Sequence, residues 1–303
     1  MNKNFLDRVT EIIDKDRVFT NELMSKHTTF RIGGPADYFV CPENMEEIQK
    51  VICLCNEMEM PFYLLGKGSN LLVGDKGYRG VIIRLYKQMD KIEISGTRIK
   101  AQAGALLVKV SSEACKSGLT GLEFAGGIPG TLGGAVVMNA GAYGGEMKDV
   151  LEEVTVLTKE GEFLTLSKEE LELGYRTSII GRKGYIVLEV VLQLKEKNPD
   201  EIRAYMNELR EKRVTKQPLE YASAGSTFKR PEGHFAGQLI EQAGLRGFQV
   251  GDAQVSEKHC GFVINRGQAT AKDVTELIGE ISAKVEEKFG VTLEPEVKKL
   301  GEF

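Results

Sequence analysis

The chain has 303 residues, 42% of them hydrophobic, and sets 40 Lys and Arg against 44 Asp and Glu for a formal net charge of -4. That length and apolar content suffice for two or three compact units with real cores. The mild acidity, with a pI near 5.7, argues against a dedicated nucleic-acid binder, and no run approaches the roughly 18 apolar residues that a membrane span needs. The opening "MNKNFLDRVTEIIDKD" lacks the apolar core of a leader peptide. A cytoplasmic chain is expected, with no nucleic acid, membrane or obligatory protein partner. Five cysteines, Cys41, Cys53, Cys55, Cys115 and Cys260, are odd in number, and their one close pair has C-x-C spacing with no histidine nearby. Free thiols are expected, and no metal site.

In chain order, Phe5, Val9, Ile12 and Ile13 predict an opening helix. The strand "ADYFVCP", a helix over Met45 to Met58 and the strand "PFYLLG" then form a β-α-β unit that runs straight into glycines. Short alternating strands follow, "GVIIRL" and a hairpin in "KIEISGTRIKAQAG" around Ser95 and Gly96. A helix over Leu106 to Lys116 leads into the densest glycine region, and another hairpin follows in "EEVTVLTKEGEFLTLS". After "GYRTS" come the strand "GYIVLEVVLQLK" and a connecting helix, "NPDEIRAYMNELREKR", with Ile202, Tyr205, Met206 and Leu209 on one face. A domain boundary is placed near Lys197. Beyond it the pattern predicts a helix at Phe235 to Ala243, two strands around Phe248 to Ile264, a long helix at Ala271 to Phe289 and a final strand, "VTLEPEVKKLG". No short repeat or low-complexity tract is present.

Two glycine loops carry the first chemical signal. In "LLGKGSNLLV", Gly66 and Gly68 follow an apolar strand. Glycines let the backbone turn sharply and aim successive N–H groups at an anion; a plain turn is the alternative. Neither common phosphate fingerprint fits, because Leu71 stands where G-x-G-x-x-G needs its third glycine and nothing reads G-x-x-x-x-G-K-[ST]. A Rossmann domain and a P-loop NTPase are both disfavoured. The second loop, "GLEFAGGIPGTLGGAVVMNAGAYGG", holds nine glycines with Pro129 and Asn139 rather than the serine-rich pattern of a flexible linker. Such a stretch suits either close approach to a cofactor diphosphate or a tightly packed strand junction, and the pair of loops favours a nucleotide cofactor.

The order and spacing of "GKGSNLLV", "GIPGTLGGAVVMNAGAYG", "YRTS", "AGSTFKRP" and "LEPEV" resemble the MurB family, the UDP-N-acetylenolpyruvoylglucosamine reductases of bacterial cell-wall synthesis. The resemblance covers almost the whole chain. It implies an α+β protein: a two-part FAD-binding domain of the vanillyl-alcohol-oxidase (PCMH) type, residues 1–85 and 86–197, then a smaller α+β substrate-binding domain, residues 198–303, whose last strand is free to return to the first part. It implies non-covalent FAD, held by Gly66, Lys67, Gly68, Ser69 and Asn70 and by Gly126, Gly127, Ile128, Pro129, Gly130, Gly133, Gly134 and Ala135. It also implies NADPH as reductant and a UDP-sugar as substrate. Arg176, Ser226 and Glu296 take the catalytic positions; Tyr175, Lys216, Lys229 and Asn265 take substrate-binding ones. The chain departs from the longer form of the family at two places, the first of which makes it resemble the shorter, second type. Only "TSIIGRK" separates Arg176 from the strand beginning at Gly184, and Arg230 stands where the longer form tends to carry asparagine.

The implied reaction reduces an enolpyruvyl ether to UDP-N-acetylmuramate, leaving negative charge on the α-carbon and its carboxylate. Arg176 can offer a bidentate fork to that carboxylate and stays charged in any surroundings; an ordinary surface ion pair is the alternative for an arginine so placed. Ser226 is the proton donor that the resemblance implies: a poor acid in water, but adequate toward an enolate carbon if held close. Without the resemblance "AGST" reads as a turn. Glu294 and Glu296 share a face if their strand is regular, a condition that Pro295 strains, and Glu296 can orient substrate or supply a proton if its pKa is raised. His259 reads as structural. Two rivals stand beside this reading. A covalent-flavin oxidase of the same superfamily is disfavoured because no histidine lies between His27 and His234. A regulatory module that kept the loops without the chemistry is disfavoured because Arg176, Ser226 and Glu296 are all present.

Overall fold

A computed structural model of the chain describes residues 3–303. Met1 and Asn2 lie outside the described residues. In chain order the elements are α1 (Lys3–Ile12), β1 (Val18–Leu23), β2 (Pro35–Val40), α2 (Met45–Glu57), β3 (Phe62–Leu65), β4 (Leu71–Val73), β5 (Tyr78–Arg84), β6 (Ile92–Ser95), β7 (Arg98–Gln102), α3 (Leu107–Lys116), β8 (Leu119–Thr120), α4 (Leu132–Val137), β9 (Gly141–Ala142) and β10 (Gly145–Glu146). There follow β11 (Leu151–Leu157), β12 (Phe163–Ser167), α5 (Ile179–Lys183), β13 (Ile186–Gln193), β14 (Lys195–Glu196), α6 (Pro199–Lys216), β15 (Ala222–Ser226), α7 (Ala236–Gln242), β16 (Gln249–Val250), β17 (Ala253–Val255), β18 (Phe262–Asn265), α8 (Ala271–Phe289) and β19 (Lys298–Leu300).

Two compact units divide the chain. The first takes residues up to Thr20, Tyr38–Lys67 and Gly80–Arg213; the second takes Asn21–Asp37, Gly68–Arg79 and Val214–Phe303. This corrects the boundary expected near Lys197. The helix there, α6, is no free connector: it buries Ile202 and Leu209 and stays with the first unit through Arg213. It also corrects the assignment of residues 1–85 to one subdomain, since two early segments belong with the C-terminal part.

In the first unit, β3 and β5 pair in parallel, Phe62 opposite Val81 through Leu65 opposite Arg84. A five-stranded antiparallel sheet runs in the order β12-β11-β13-β7-β6. The alternation that predicted its strands is visible in β7, where Ile99 and Ala101 are buried between exposed Arg98 and Lys100. One continuous apolar cluster joins α1, α2, α3 and these strands, from Phe5 and Val9 to Leu192 and Leu194.

The second unit is built on the sheet β15-β18-β17-β16 and the long α8. Helix α8 starts and stops by its own sequence. Thr270 accepts from the Asp273 backbone while Asp273 returns a bond to the Thr270 backbone, and Gly290 ends it in the left-handed conformation at φ 66. Its buried stripe Val274, Leu277, Ile278, Ile281 and Val285 packs into a core with Phe30, Ile32, Leu72, Phe228 and Ile240. The early segment is tied in by charge as well, for Asp75 accepts from the free backbone N–H groups of Ala271 at 2.8 Å and Lys272 at 3.1 Å.

The expected terminal strand is shorter than predicted. Only Lys298–Leu300 forms a ladder, and its partner is β4, in parallel, Lys298 opposite Leu71. All five cysteines are free, four of them buried and Cys53 exposed. Burial pushes the Cys55 thiol up to about 12, so it stays a small apolar group. No helix among the described residues is long and apolar enough to cross a membrane.

Candidate active site

The glycine loop of the first unit is defined by what lies against it. Thr131 caps α4, its hydroxyl accepting from the Gly134 N–H at 3.4 Å, and the Leu132 and Gly133 N–H groups donate to Ala105 and Ala103 at 2.8 and 2.9 Å. These bonds lay the loop along the link between β7 and α3. Space there is exhausted: a Cβ on Gly66 would stand 2.5 Å from the Thr131 hydroxyl, and one on Gly133 would stand 2.8 Å from the Ala103 Cβ. Helix α6 closes on the same loop, with the Met206 methyl 2.9 Å from a Cβ on Gly126 and Arg213 Nη1 2.8 Å from one on Gly127.

Arg213 carries the electrostatic signal. Its Nε and Nη1 are buried with no hydrogen-bond partner among the described residues, and burial lowers its pKa from the ordinary arginine value, with the Tyr143 phenol acting in the opposite direction. A buried, under-bonded guanidinium beside a glycine backbone suits a polyanionic cofactor such as a flavin dinucleotide. The sequence reading missed Arg213, although Ile202, Met206, Leu209 and Arg213 follow one another at helical spacing on the face that packs. Lys67 is turned onto Tyr86, its ammonium 4.5 Å from the ring centroid and 3.4 Å from the hydroxyl.

Tyr175 and Arg176 occupy the two tip positions of a tight turn, closed by Gly174 and Thr177, which exchange backbone bonds at 3.1 and 3.3 Å. Arg176 has φ 55, a left-handed conformation that disfavours side chains. Its guanidinium lies 5.3 Å from the exposed Tyr175 ring, and Nη2 donates to the Gly141 carbonyl at 3.4 Å. Between this turn and the next strand there is one short helix, α5, capped by Ser178, so the chain holds no longer insertion there.

In the second unit, β15 carries a bulge between Ser223 and Ser226 where it pairs with β18. Gly225 sits in the bulge at φ 79 with nothing within 4 Å of its Cβ position, and Ser226 emerges exposed at the strand end. The residues after it are anchored. Buried Thr227 donates its N–H to Gly261 O at 2.8 Å and accepts from Val263 N–H at 2.9 Å. The Glu296 N–H donates to Thr227 O at 2.8 Å, and Lys229 N–H to Glu294 O at 2.9 Å. Ser226 and Glu296 are thereby brought to neighbouring backbone positions. Glu294 is exposed and pairs with Lys229, while Glu296 is half-buried.

The remaining expected site residues of this unit have other surroundings. Gly68, at φ 65, packs its Cβ position 3.0 Å from Thr28 Cα, and Ser69 is half-buried. Asn70 donates to the Glu296 carbonyl at 3.2 Å, and its own carbonyl accepts from Lys298 N–H at 3.0 Å. Lys216 is exposed at the end of α6. Asn265 is buried, with its amide donating to Phe30 O at 3.1 Å and accepting from Gly267 and Ala269 N–H at 2.9 and 3.1 Å. It braces the exit of β18, and its side chain is spent on backbone. His259 likewise accepts from Gly261 N–H at 3.0 Å through Nδ1, and burial lowers its pKa.

Comparison with known proteins agrees with both halves of this layout. Residues 36–167 match the family profile described as FAD binding domain, and residues 217–300 match the one described as UDP-N-acetylenolpyruvoylglucosamine reductase, C-terminal domain. The UDP-N-acetylenolpyruvoylglucosamine reductase of Agathobacter rectalis is 56% identical, with 100% of both chains covered. That of Clostridioides difficile is 52% identical, with 99% of both covered. Among solved structures, the reductase of Thermus caldophilus superposes with a TM-score of 0.81 at 42% identity, covering 92% of this chain and 97% of that one. An alkyldihydroxyacetonephosphate synthase, at 18% identity and a TM-score of 0.50, shares the fold over 65% of this chain. The chain belongs to the UDP-N-acetylenolpyruvoylglucosamine reductase family, FAD-dependent oxidoreductases of peptidoglycan synthesis that use NADPH as reductant.

Proposed function

We propose that this chain reduces the enolpyruvyl ether of UDP-N-acetylglucosamine enolpyruvate to UDP-N-acetylmuramate with Arg176, Ser226 and Glu296 as its catalytic residues. The observation that carries the assignment is the pairing of Thr227 with Glu296, which holds the exposed Ser226 hydroxyl and the half-buried Glu296 carboxyl on adjacent segments. FAD, when bound, supplies the hydride for the vinyl terminus and is itself renewed by NADPH. The residues that would hold it are Gly66, Lys67, Gly68, Ser69 and Asn70 together with Gly126, Gly127, Ile128, Pro129, Gly130, Gly133, Gly134 and Ala135, with Arg213 the fixed cation beside Gly127.

The chain's own work is to manage charge and a proton. Addition at the vinyl terminus leaves an electron pair on the α-carbon, delocalised into its carboxylate. Arg176 opposes that charge with a planar fork, the type of contact whose loss costs two to three powers of ten (about 10²–10³) in rate. Ser226 delivers the proton that forms the α-carbon C–H bond, and its oxygen is reprotonated from the Glu296 side. Tyr175, Lys216 and Lys229 are assigned to the sugar nucleotide; Asn265 is not, since its amide is engaged by backbone. A cytoplasmic setting, with no nucleic acid, membrane or obligatory protein partner, accords with water-soluble reactants.

The test separates two half-reactions on the flavin-loaded protein. NADPH should bleach the yellow enzyme, and the enolpyruvyl sugar nucleotide should restore its colour. Ser226→Ala should leave the first step within about twofold and slow the second by about 10²–10⁴-fold, the contribution typical of a positioned acid. Equal slowing of both steps would make Ser226 a structural residue.

A further inference from the structure

Asn139 lies in the glycine-rich loop, and the partners of its side chain all lie beyond that loop. It is buried at 1% exposure and holds φ 41, a left-handed conformation that asparagine tolerates better than most residues. Its Nδ2 donates twice, to Glu146 Oε2 at 2.8 Å and to the Gly174 carbonyl at 3.0 Å. Its Oδ1 accepts from the Lys148 backbone N–H at 2.9 Å. Three of the four bonds that a carboxamide can make are thus made, each to a different point of the surrounding chain.

One of those points is the base of the turn that carries Arg176. The Gly174 carbonyl already accepts from Thr177 within the turn, so Asn139 takes its second lone pair and fixes the turn from outside. The turn needs an external anchor. It is two residues long, Arg176 is in a disfavoured conformation, and Tyr175 at its tip is 54% exposed. The second partner, Glu146, is ionised: the Lys148 ammonium first holds its carboxyl below the usual range, against burial, and the Asn139 amide and the charge of Arg176 add to this. A position between a carboxylate and a carbonyl oxygen calls for a donor to each. Aspartate there would face two acceptors.

We propose that Asn139 is a positioning residue for Arg176: its side-chain amide sets where the Gly174–Thr177 turn presents the guanidinium. The proposal rests on the reading of Arg176 as the partner of the substrate carboxylate. A displacement of about 1 Å in a group that must meet a reacting centre costs about 10²-fold.

Asn139→Gly keeps the left-handed backbone and removes all three bonds; Asn139→Asp keeps the size and reverses the donors. In the full-length, flavin-loaded protein both should slow reoxidation by the enolpyruvyl sugar nucleotide by about 10–100-fold, with NADPH reduction within twofold of the parent. In an Arg176→Ala background, itself slowed by about 10²–10³-fold, Asn139→Gly should add almost nothing. Unimpaired Arg176→Ala would overturn the reading of Arg176 itself. An impaired Arg176→Ala combined with a wild-type Asn139→Gly, with multiplicative losses in the double variant, or with equal slowing of both half-reactions would overturn the role of Asn139. Should Asn139→Gly not fold, Asn139→Asp gives the same comparison.

Discussion

The two loops that carry the chemistry use glycine for opposite reasons. Around Gly66 and Gly133 a side chain has no room, because the Thr131 hydroxyl and Ala103 stand within 3 Å of where a Cβ would be, and at Gly126 and Gly127 the ends of Met206 and Arg213 would have to give way. At Gly225 the space is open, and what excludes other residues is φ 79. The first loop is a packing problem solved by removing atoms, so its glycines depend on their neighbours. The second is a torsional problem confined to one residue, so Gly225 depends on nothing but its own backbone. A loop that receives a large cofactor wants its backbone flush with the surface; a turn that aims one hydroxyl wants a fixed kink.

Substitution should expose that difference. The largest effect is expected at Gly66→Ala, where the new methyl meets the Thr131 hydroxyl. Overpacking costs about 1–3 kcal/mol, enough to lower flavin retention at least about tenfold, as read from the flavin-to-protein absorbance ratio. Thr131→Ala should restore part of it by deleting the obstructing oxygen. Gly225→Ala should cost about 1–2 kcal/mol by denaturant unfolding, the penalty for a side chain in left-handed backbone, with flavin content unchanged. No second-site truncation should rescue it, and a rescue would erase the distinction between the loops.

The smallest effect is expected away from both loops. Arg17 donates to Glu47 at 2.8 and 3.2 Å, with only 13% and 16% of the two side chains exposed. The Glu47 carboxyl is desolvated, which raises its pKa, but the Arg17 bond and the Glu43 N–H outweigh this and lower it overall. A carboxyl depressed on folding stabilises above its unfolded pKa and loses that contribution as pH falls through the folded value. Glu47→Gln should cost about 1 kcal/mol at neutral pH, and the gap from the parent should close below the usual carboxylate range, with flavin content unaffected. A gap independent of pH would mean that packing, not charge, sustains the pair.

Elements whose signals are local were legible in the sequence. Helix α8 is bounded where predicted because Thr270, Asp273 and Gly290 cap it and its apolar residues recur at helical spacing. Elements whose signals are distant were not. Strand β4 is three buried residues without alternation, and β1 is largely exposed along its length. Helix α4, "LGGAVV", carries two glycines that lower helix propensity, and is started by the Thr131 cap. The expected final strand is divided between two partners: at Pro295 it bridges to Phe228, and only Lys298–Leu300 runs along β4. Tyr205 was placed on the packed face of α6 and is 44% exposed.

The site divides in the same way. Residue types and their order were enough to single out Arg176, Ser226 and Glu296 through the family likeness, whereas the bonds that hold them were invisible. Lys229 and Glu294 meet across 65 positions, and Asn139 reaches partners 7, 9 and 35 positions away. No spacing rule covers such distances.

The pairing of β4 with β19 sets a schedule for biosynthesis. Leu71, Leu72 and Val73, buried in the finished protein, emerge from the ribosome long before Lys298–Leu300. The paired positions are 227 residues apart, which at about 5–20 residues per second is a wait of about 11–45 s. Throughout that interval an apolar strand has no edge to lie against. The nascent chain is therefore exposed to misassociation at this segment, and a chaperone that shields residues 71–73 during translation would raise the yield of the second unit more than that of the first.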